Sequence, residues 1–381
     1  MNRNIRFAAL SLLPLLFSAC GPKRLPGGLM DDPRTHADRG KQYYDAGDNA
    51  RAREEYALSL ELDKKYAPAL AGLGMLEARL HNWEAAEKDI KKSIDYDDGI
   101  PDGWMAWGVY LGEKYRGKDT DDWLSEAETA FDKAVKRGEK NPEVWYRRGQ
   151  VRQWALQLRE AGDAFRKVLD LDQGYTTQAN EAWAKIQKIE RAAPGTRVGK
   201  KIALVDSLTR ADAAVLFIAE LQLDRILSRT RGAAVDTGYK APADLREAKT
   251  GDTTKVLAND IAGYWARNFI DDALKLGIRG LQVGPDGAFH PDQGLDRAEF
   301  AFLAEDALMA ALGDKTLATR YIGSTPRFSD VSAGSPYYNA ICDAVDHNVM
   351  SAYPDGSFGA LQPVSGADAL LTIRLIKELR K

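Results

Sequence analysis

From residue 33 onward, small and large apolar positions recur in a fixed order. Glycines at 40, 74, 108 and 149 are spaced by 34, 34 and 41 residues, and alanines at 52, 86, 127 and 161 follow at 34, 41 and 34. Four positions after each alanine stands a large side chain (Tyr56, Ile90, Phe131, Phe165). Eight positions after it stands an aliphatic one (Leu60, Ile94, Val135, Leu169). Steps of four and eight lie on one face of an α-helix, so each unit predicts a helix pair whose second member turns that face inward. A period of 34 predicts a helix-turn-helix solenoid. The third unit carries seven extra residues, and the polar stretch 116–122 predicts a longer turn inside it.

Glycine on the first helix and alanine on the second let the paired helices approach closely. With Trp104 and Trp145 at an aromatic position, Leu73-Gly74 and Trp107-Gly108 at a large-small pair, and Tyr43 further along, the pattern resembles tetratricopeptide repeats. The resemblance covers about 33–172, and a helix near 180–191 carrying Trp183, Ile186 and Ile189 has the place of a terminal cap. It implies a concave surface for an extended peptide or a partner helix, with Arg147, Arg148 and Arg152 as polar positions on the first helices.

Beyond Pro194-Gly195 the pattern changes. Seven of the eight tryptophans lie between Trp83 and Trp183, and only Trp265 remains. Asp286-Gly287-Ala288-Phe289 recurs 69 residues on as Asp355-Gly356-Ser357-Phe358, each after a proline. The same shift relates Asp296-Arg297-Ala298-Glu299 to Ser365-Gly366-Ala367-Asp368, and Thr209-Arg210-Ala211-Asp212 is a third copy. Each tetrad opens an apolar helix, expected over 213–227, 300–312 and 369–379, and the polar stretch 228–255 reads as a connection. In each tetrad an oxygen acceptor precedes a carboxylate by three residues, the spacing of a capping box. Capping leaves the arginine at the second position unexplained, because a cation is mildly unfavourable beside a helix N-terminus.

This half resembles the S-layer homology domain. Asp260, Trp265-Ala266, Gly277-Ile278, residues 285–289 and 296–299 carry the likeness in one unit, 328–331 and 353–358 carry it in the next, and the first unit keeps only its tetrad. The resemblance covers about 198–381. It implies three units in a spindle whose grooves bind cell-wall polysaccharide, in many members through a pyruvyl ketal. An arginine beside free backbone N–H groups suits such a carboxylate. The residues this carries over for polysaccharide binding are Arg210, Arg297, Trp265, Asp286 and Asp355, with the groove at Gly366 expected to be weak or purely structural. The aspartates beside glycine also have a plain reading as turn formers.

The N-terminus shows Arg3 and Arg6, an apolar run from Phe7 to Phe17, then Ser18-Ala19-Cys20. That order is a secretion signal, and the run is too short to span a bilayer as a helix. It resembles a bacterial lipoprotein signal, which implies removal of 1–19, acylation of Cys20 (palmitate among the chains) and a tether over 20–32. Gly21 after the cysteine implies the outer membrane, facing the periplasm. More than one acyl chain exceeds the threshold for stable anchoring.

Composition narrows the functional classes. The 381 residues carry 53 basic and 56 acidic side chains, and losing Arg3 and Arg6 leaves 51 against 56, net −5. That gives no nucleic-acid footprint. Histidines at 36, 81, 290 and 347 are scattered, and Cys342 falls on an apolar helix face. Residues 195–201 have a residue too few between glycines for a phosphate loop, and no nucleophile elbow exists. The expectation is an all-α, non-enzymatic lipoprotein without cofactor or metal: signal 1–19, tether 20–32, four tetratricopeptide repeats plus cap over 33–193, S-layer-homology units over 198–381. It would bind wall polysaccharide or a peptidoglycan-linked glycan at one end and a protein in the repeat groove, with no nucleic acid. The alternative is an envelope assembly or secretion scaffold whose C-terminal units have lost sugar binding.

Overall fold

The computed structural model describes residues 27–28, 31–118, 122–231 and 258–380; Cys20, the signal, most of the tether and most of the polar connection lie outside them. Among the described residues all regular structure is helical, joined by turns and three isolated β-bridges. No helix among them is long and apolar enough to cross a membrane. Two compact units, Met1–Arg148 and Gly149–Lys381, divide within one helix of the fourth repeat.

The first unit holds three helix pairs: α1 (Pro33–Asp45) with α2 (Asn49–Leu62), α3 (Ala67–Arg79) with α4 (Trp83–Tyr96), and α5 (Pro101–Tyr115) with α6 (Asp122–Arg137). Proline in the first turn opens α1, α3 and α5, where its missing N–H costs nothing. The glycines meet the large side chains predicted for them. A Cβ on Gly40 would come within 2.7 Å of Tyr56, on Gly74 within 2.4 Å of Ile90, and on Gly108 within 2.5 Å of Phe131. Tyr56, Ile90 and Phe131 are fully buried, each contributing about 1.5–3 kcal/mol. Buried serines 34 residues apart lock successive pairs: Ser59 Oγ donates to the Pro33 carbonyl (2.6 Å) and Ser93 Oγ to that of Ala67 (2.8 Å). His36 is buried between two carboxylates, Glu55 (2.6 Å) and Asp31 (2.8 Å).

Helix α7 (Pro142–Trp154) contains the division. The second unit then holds α8 (Leu158–Leu171), where a Cβ on Gly149 would meet Phe165 at 2.6 Å, and α9 (Thr176–Ala192), the predicted cap. After α10 (Arg197–Ala203), the three tetrads open α11 (Arg210–Val215), α14 (Arg297–Leu312) and α16 (Gly366–Leu379). Helices α13 (Arg267–Leu276) and α15 (Tyr338–Asp346) precede the two glycine loops, and Cys342 is buried and free on α15.

The helix expected over 213–227 is not continuous. After α11 the chain makes a π-turn at Leu216–Glu220, passes Gln222 at φ 55°, and restarts as α12 (Leu223–Arg231). The cause is Glu220, whose buried carboxylate accepts from Gly195 N (3.0 Å), Thr196 N (2.9 Å) and Thr196 Oγ1 (2.5 Å). A wider turn carries it to that partner 24 residues upstream.

Candidate functional site

The tetrads meet in a closed ring. Leu208 N donates to the Val364 carbonyl (2.8 Å), Val364 N to that of Leu295 (3.2 Å), and Leu295 N to that of Leu208 (2.8 Å). Two residues further along, the second position of each tetrad donates its own N–H across the ring: Arg210 to Gln293, Arg297 to Gln362 and Gly366 to Val205, at 2.9–3.0 Å. A pseudo-threefold follows from three copies of one local sequence satisfying one another's backbone groups. Complete capping boxes form at Thr209/Asp212 and Asp296/Glu299; at the third copy Ser365 Oγ accepts from Asp368 N (3.1 Å) and donates to its carboxylate (2.6 Å).

The arginine side chains follow their own N–H groups across the ring. Arg210 donates from Nε to the Phe289 carbonyl (2.8 Å), from Nη1 to Gly280 (2.5 Å) and from Nη2 to Gln282 (2.9 Å), with its guanidinium 4.8 Å over the Phe289 ring. Arg297 repeats this one unit on, to the carbonyls of Phe358 (3.0 Å) and Ser351 (2.7 Å), over the rings of Phe358 and Tyr353. Each arginine therefore staples the glycine loop of the following unit. The three charge-assisted bonds of Arg210, one of them to the buried Phe289 carbonyl, exceed what an exposed ion pair supplies.

The loops are held from below by aspartates whose role the sequence did not reveal. Asp260 accepts from Phe289 N (2.8 Å) and His290 N (2.7 Å); Asp330 accepts from Phe358 N, Gly359 N and Ala360 N at 2.7–2.9 Å. Partial burial opposes ionisation of both, yet these N–H bonds outweigh it and hold both carboxyls below the usual range. Asp286 and Asp355 shape their own turns instead, accepting from Ala288 N (3.0 Å) and from Ser357 N and Oγ (2.9 and 2.7 Å).

At the third copy no staple exists. A Cβ on Gly366 would stand 1.7 Å from the Ile202 carbonyl oxygen, so α10, which replaces the missing glycine loop of the first unit, occupies the space an arginine would need.

One open groove of about 470 Å³ lies beside the first tetrad, lined by Arg197, Val198, Lys201, Ile202, Val205, Asp212 and Trp265. Trp265 is 56% exposed, unusual for tryptophan; the seven tryptophans between Trp83 and Trp183 are half-buried or, at Trp123, buried. Beside it Tyr264 donates to Asp292 (2.6 Å), and burial together with that bond pushes its hydroxyl up to about 12. An exposed indole flanked by Arg197 and Lys201 offers a stacking platform and cationic donors to a sugar acid. Sequence reading missed Arg197 and Lys201. Their signal in the sequence is the basic run at 197–201, which falls outside the tetrad repeat.

In the repeat array, the arginines expected on the groove are turned to other tasks. Arg147 is 3% exposed, pairs with Asp45 and Glu143 and lies 5.1 Å from the Tyr44 ring; Arg148 pairs with Glu128 and Asp132. In the second unit Arg152 donates to the Glu160 carbonyl (3.2 Å). A small cavity within the first unit is lined instead by Asp38, Lys41, Met75, Asp102, Met105 and Glu143. Burial, then the charge of Glu143, push the Asp102 carboxyl up to about 6. Among the described residues no group of His, Cys, Asp and Glu is arranged to hold a metal ion.

A cell surface glycoprotein of Acetivibrio thermocellus is 32% identical over 155 residues, which is 40% of this chain and 6% of the glycoprotein, so the chain spans a small fraction of that relative's length. A solved structure of Pseudomonas aeruginosa PilF aligns with 57% of this chain and 95% of its own at 19% identity and a TM-score of 0.32. Residues 259–301 and 327–370, the second and third units of the ring, match the family model of the S-layer homology domain.

Proposed function

We propose that this chain is a non-catalytic lipoprotein of the cell envelope that grips wall polysaccharide through its C-terminal ring and holds a protein partner in its repeat array. The observation that carries the reading is the groove at Trp265, where an exposed indole stands with Arg197, Lys201 and Asp212 in a domain two of whose units match the S-layer homology model. Stacking and charge-assisted hydrogen bonds are the two interactions an anionic glycan needs. Arg210 and Arg297 serve it as positioning residues that fix the loops, Asp286 and Asp355 as turn formers, and Trp265 as the contact with sugar. The working division is 33–193 for the array and 198–381 for the ring. Cys20 carries the lipid in the outer membrane, facing the periplasm.

The test is co-sedimentation of the full chain with isolated cell wall. Wild type should pellet, and Trp265→Ala and Lys201→Ala should each leave more protein in the supernatant. Equal pelleting of all three would refute the groove, and no pelleting of any would refute wall binding. Radiolabelled palmitate should enter the wild type and not Cys20→Ala.

A second reading, a scaffold in which the array works and the ring has lost sugar binding, is favoured by the closed third tetrad at Gly366. It predicts that neither the wild-type chain nor Trp265→Ala pellets with wall, while both still recover envelope partners.

A further inference from the structure

The fourth position of every tetrad faces a different neighbour. Asp212 shares the open groove with Trp265, just ahead of α13. Glu299 lies near Tyr337, just ahead of α15, whose hydroxyl is raised by burial and then by the charges of Glu299 and Asp296. By the pseudo-threefold, Asp368 should face whatever stands just ahead of α10. That element is α9, the cap of the repeat array: Lys188 Nζ lies 2.6 Å from the Asp368 carboxylate. One turn earlier, Lys185 donates to the Leu204 carbonyl (2.5 Å) and to Asp206 (2.6 Å), on the far side of the same junction. Beneath the lysines α9 packs on α16, with Ile189 fully buried and Ala192 nearly so, while Ile186 is buried toward Gly162 of α8. The segment joining α9 to α10 is fixed as well, with Gly195 and Thr196 both bonded to Glu220.

We propose that α9 is a built-in occupant of the third groove: the chain fills its own third wall-binding position with the last helix of its repeat array. Sequence and packing agree on this. Gly366 admits α10 at the floor of the junction, Asp368 receives an ammonium where the first groove stands open, and two lysines three residues apart straddle the joint. The exposed ion pair alone is weak. The apolar face of α9 holds the helix down, and the lysines set its register on the tetrad. The third groove is therefore closed to glycan, and wall contact rests on the other positions of the ring. This last consequence rests on the wall-binding reading above, whereas the occupancy itself does not.

Amide hydrogen exchange of the full chain tests both. Lys188→Asp should speed exchange over 366–371 about fivefold and leave 267–276 unchanged, whereas Lys188→Arg, which keeps the cation and leaves Asp368 in its capping place, should exchange at the wild-type rate. An unchanged rate over 366–371 in Lys188→Asp, or an equally fast rate in Lys188→Arg, overturns the occupancy. Adding solubilised wall polysaccharide to the wild type should protect 197–202 and leave 366–371 as it was. Protection of 366–371 overturns the closed groove. Protection nowhere contradicts wall binding, and the lysine variants then decide the occupancy on their own.

Discussion

Replacing Gly366 by alanine sets two physical effects against each other. At the first position of α16, alanine is the better helix former, and propensity alone predicts a gain of about 0.5–1 kcal/mol. Packing predicts the reverse. The new Cβ would meet the Ile202 carbonyl oxygen at 1.7 Å and its carbon at 2.7 Å, and both belong to backbone that no side-chain rotation can move. Separating them to an ordinary contact needs a shift of more than an ångström between α16 and α10. That shift breaks the bond from Gly366 N to the Val205 carbonyl (3.0 Å) and strains the neighbouring one from Leu208 N to Val364 (2.8 Å). Overpacking costs about 1–3 kcal/mol and a lost buried hydrogen bond about 1 kcal/mol more. The net expectation is a loss of about 2–3 kcal/mol. Urea denaturation followed by hydrogen exchange in peptides covering 202–216 and 360–372 measures it in the C-terminal unit. A variant as stable as wild type, or more so, would show that α10 does not occupy the arginine's place and would remove the reason given for the missing staple.

Other substitutions test the ring by the same logic. Arg210→Ala, which strands three loop carbonyls, should cost about 2–3 kcal/mol, and Arg297→Ala, which strands two, should cost less; thermal melts of the two variants give the order, and equal effects of near zero would contradict the staple. Asp343 is fully buried beside Glu305 and Asn339, and burial with that neighbouring charge pushes its carboxyl up to about 7. An acid whose pKa is higher folded than unfolded binds more protons when folded, so its contribution to stability falls as pH rises from about 4 to about 7. Asp343→Asn should therefore melt higher than wild type at pH 8, by an amount that shrinks toward pH 4; a difference independent of pH would remove the buried acid from the account.

The periodic features were legible because they are local. The 34-residue period, the contacts of the repeat glycines with large side chains and the first two capping boxes depend on residues within one helix pair or one turn, and they appear where spacing placed them, whereas Leu60, Ile94, Val135 and Leu169 are half-buried and the residues just before them, Ser59, Ser93, Ala134 and Val168, are buried instead. The arginine of the tetrad was legible as an anomaly only. Its targets are carbonyl oxygens, which every residue carries, in a loop about 70 positions away, so no side-chain chemistry in the sequence marks them. Asp260 and Asp330 escaped for the same reason, since their partners are backbone N–H groups. The break after α11 depends on Glu220 reaching back to Gly195, a tertiary contact that overrides an unbroken apolar pattern. The groove at Trp265 needed α10, whose basic residues fall outside the tetrad repeat and acquire meaning only once the ring closes.

The central claim is that the groove at Trp265 is where this chain meets an anionic wall glycan. Titration of the full chain with solubilised wall polysaccharide in a calorimeter tests it most directly. Trp265→Ala removes an exposed side chain outside the ring's hydrogen bonds, so the fold should be unchanged while affinity falls about tenfold, the equivalent of about 1.4 kcal/mol of stacking. Binding of wild-type strength by a folded Trp265→Ala chain would contradict the account.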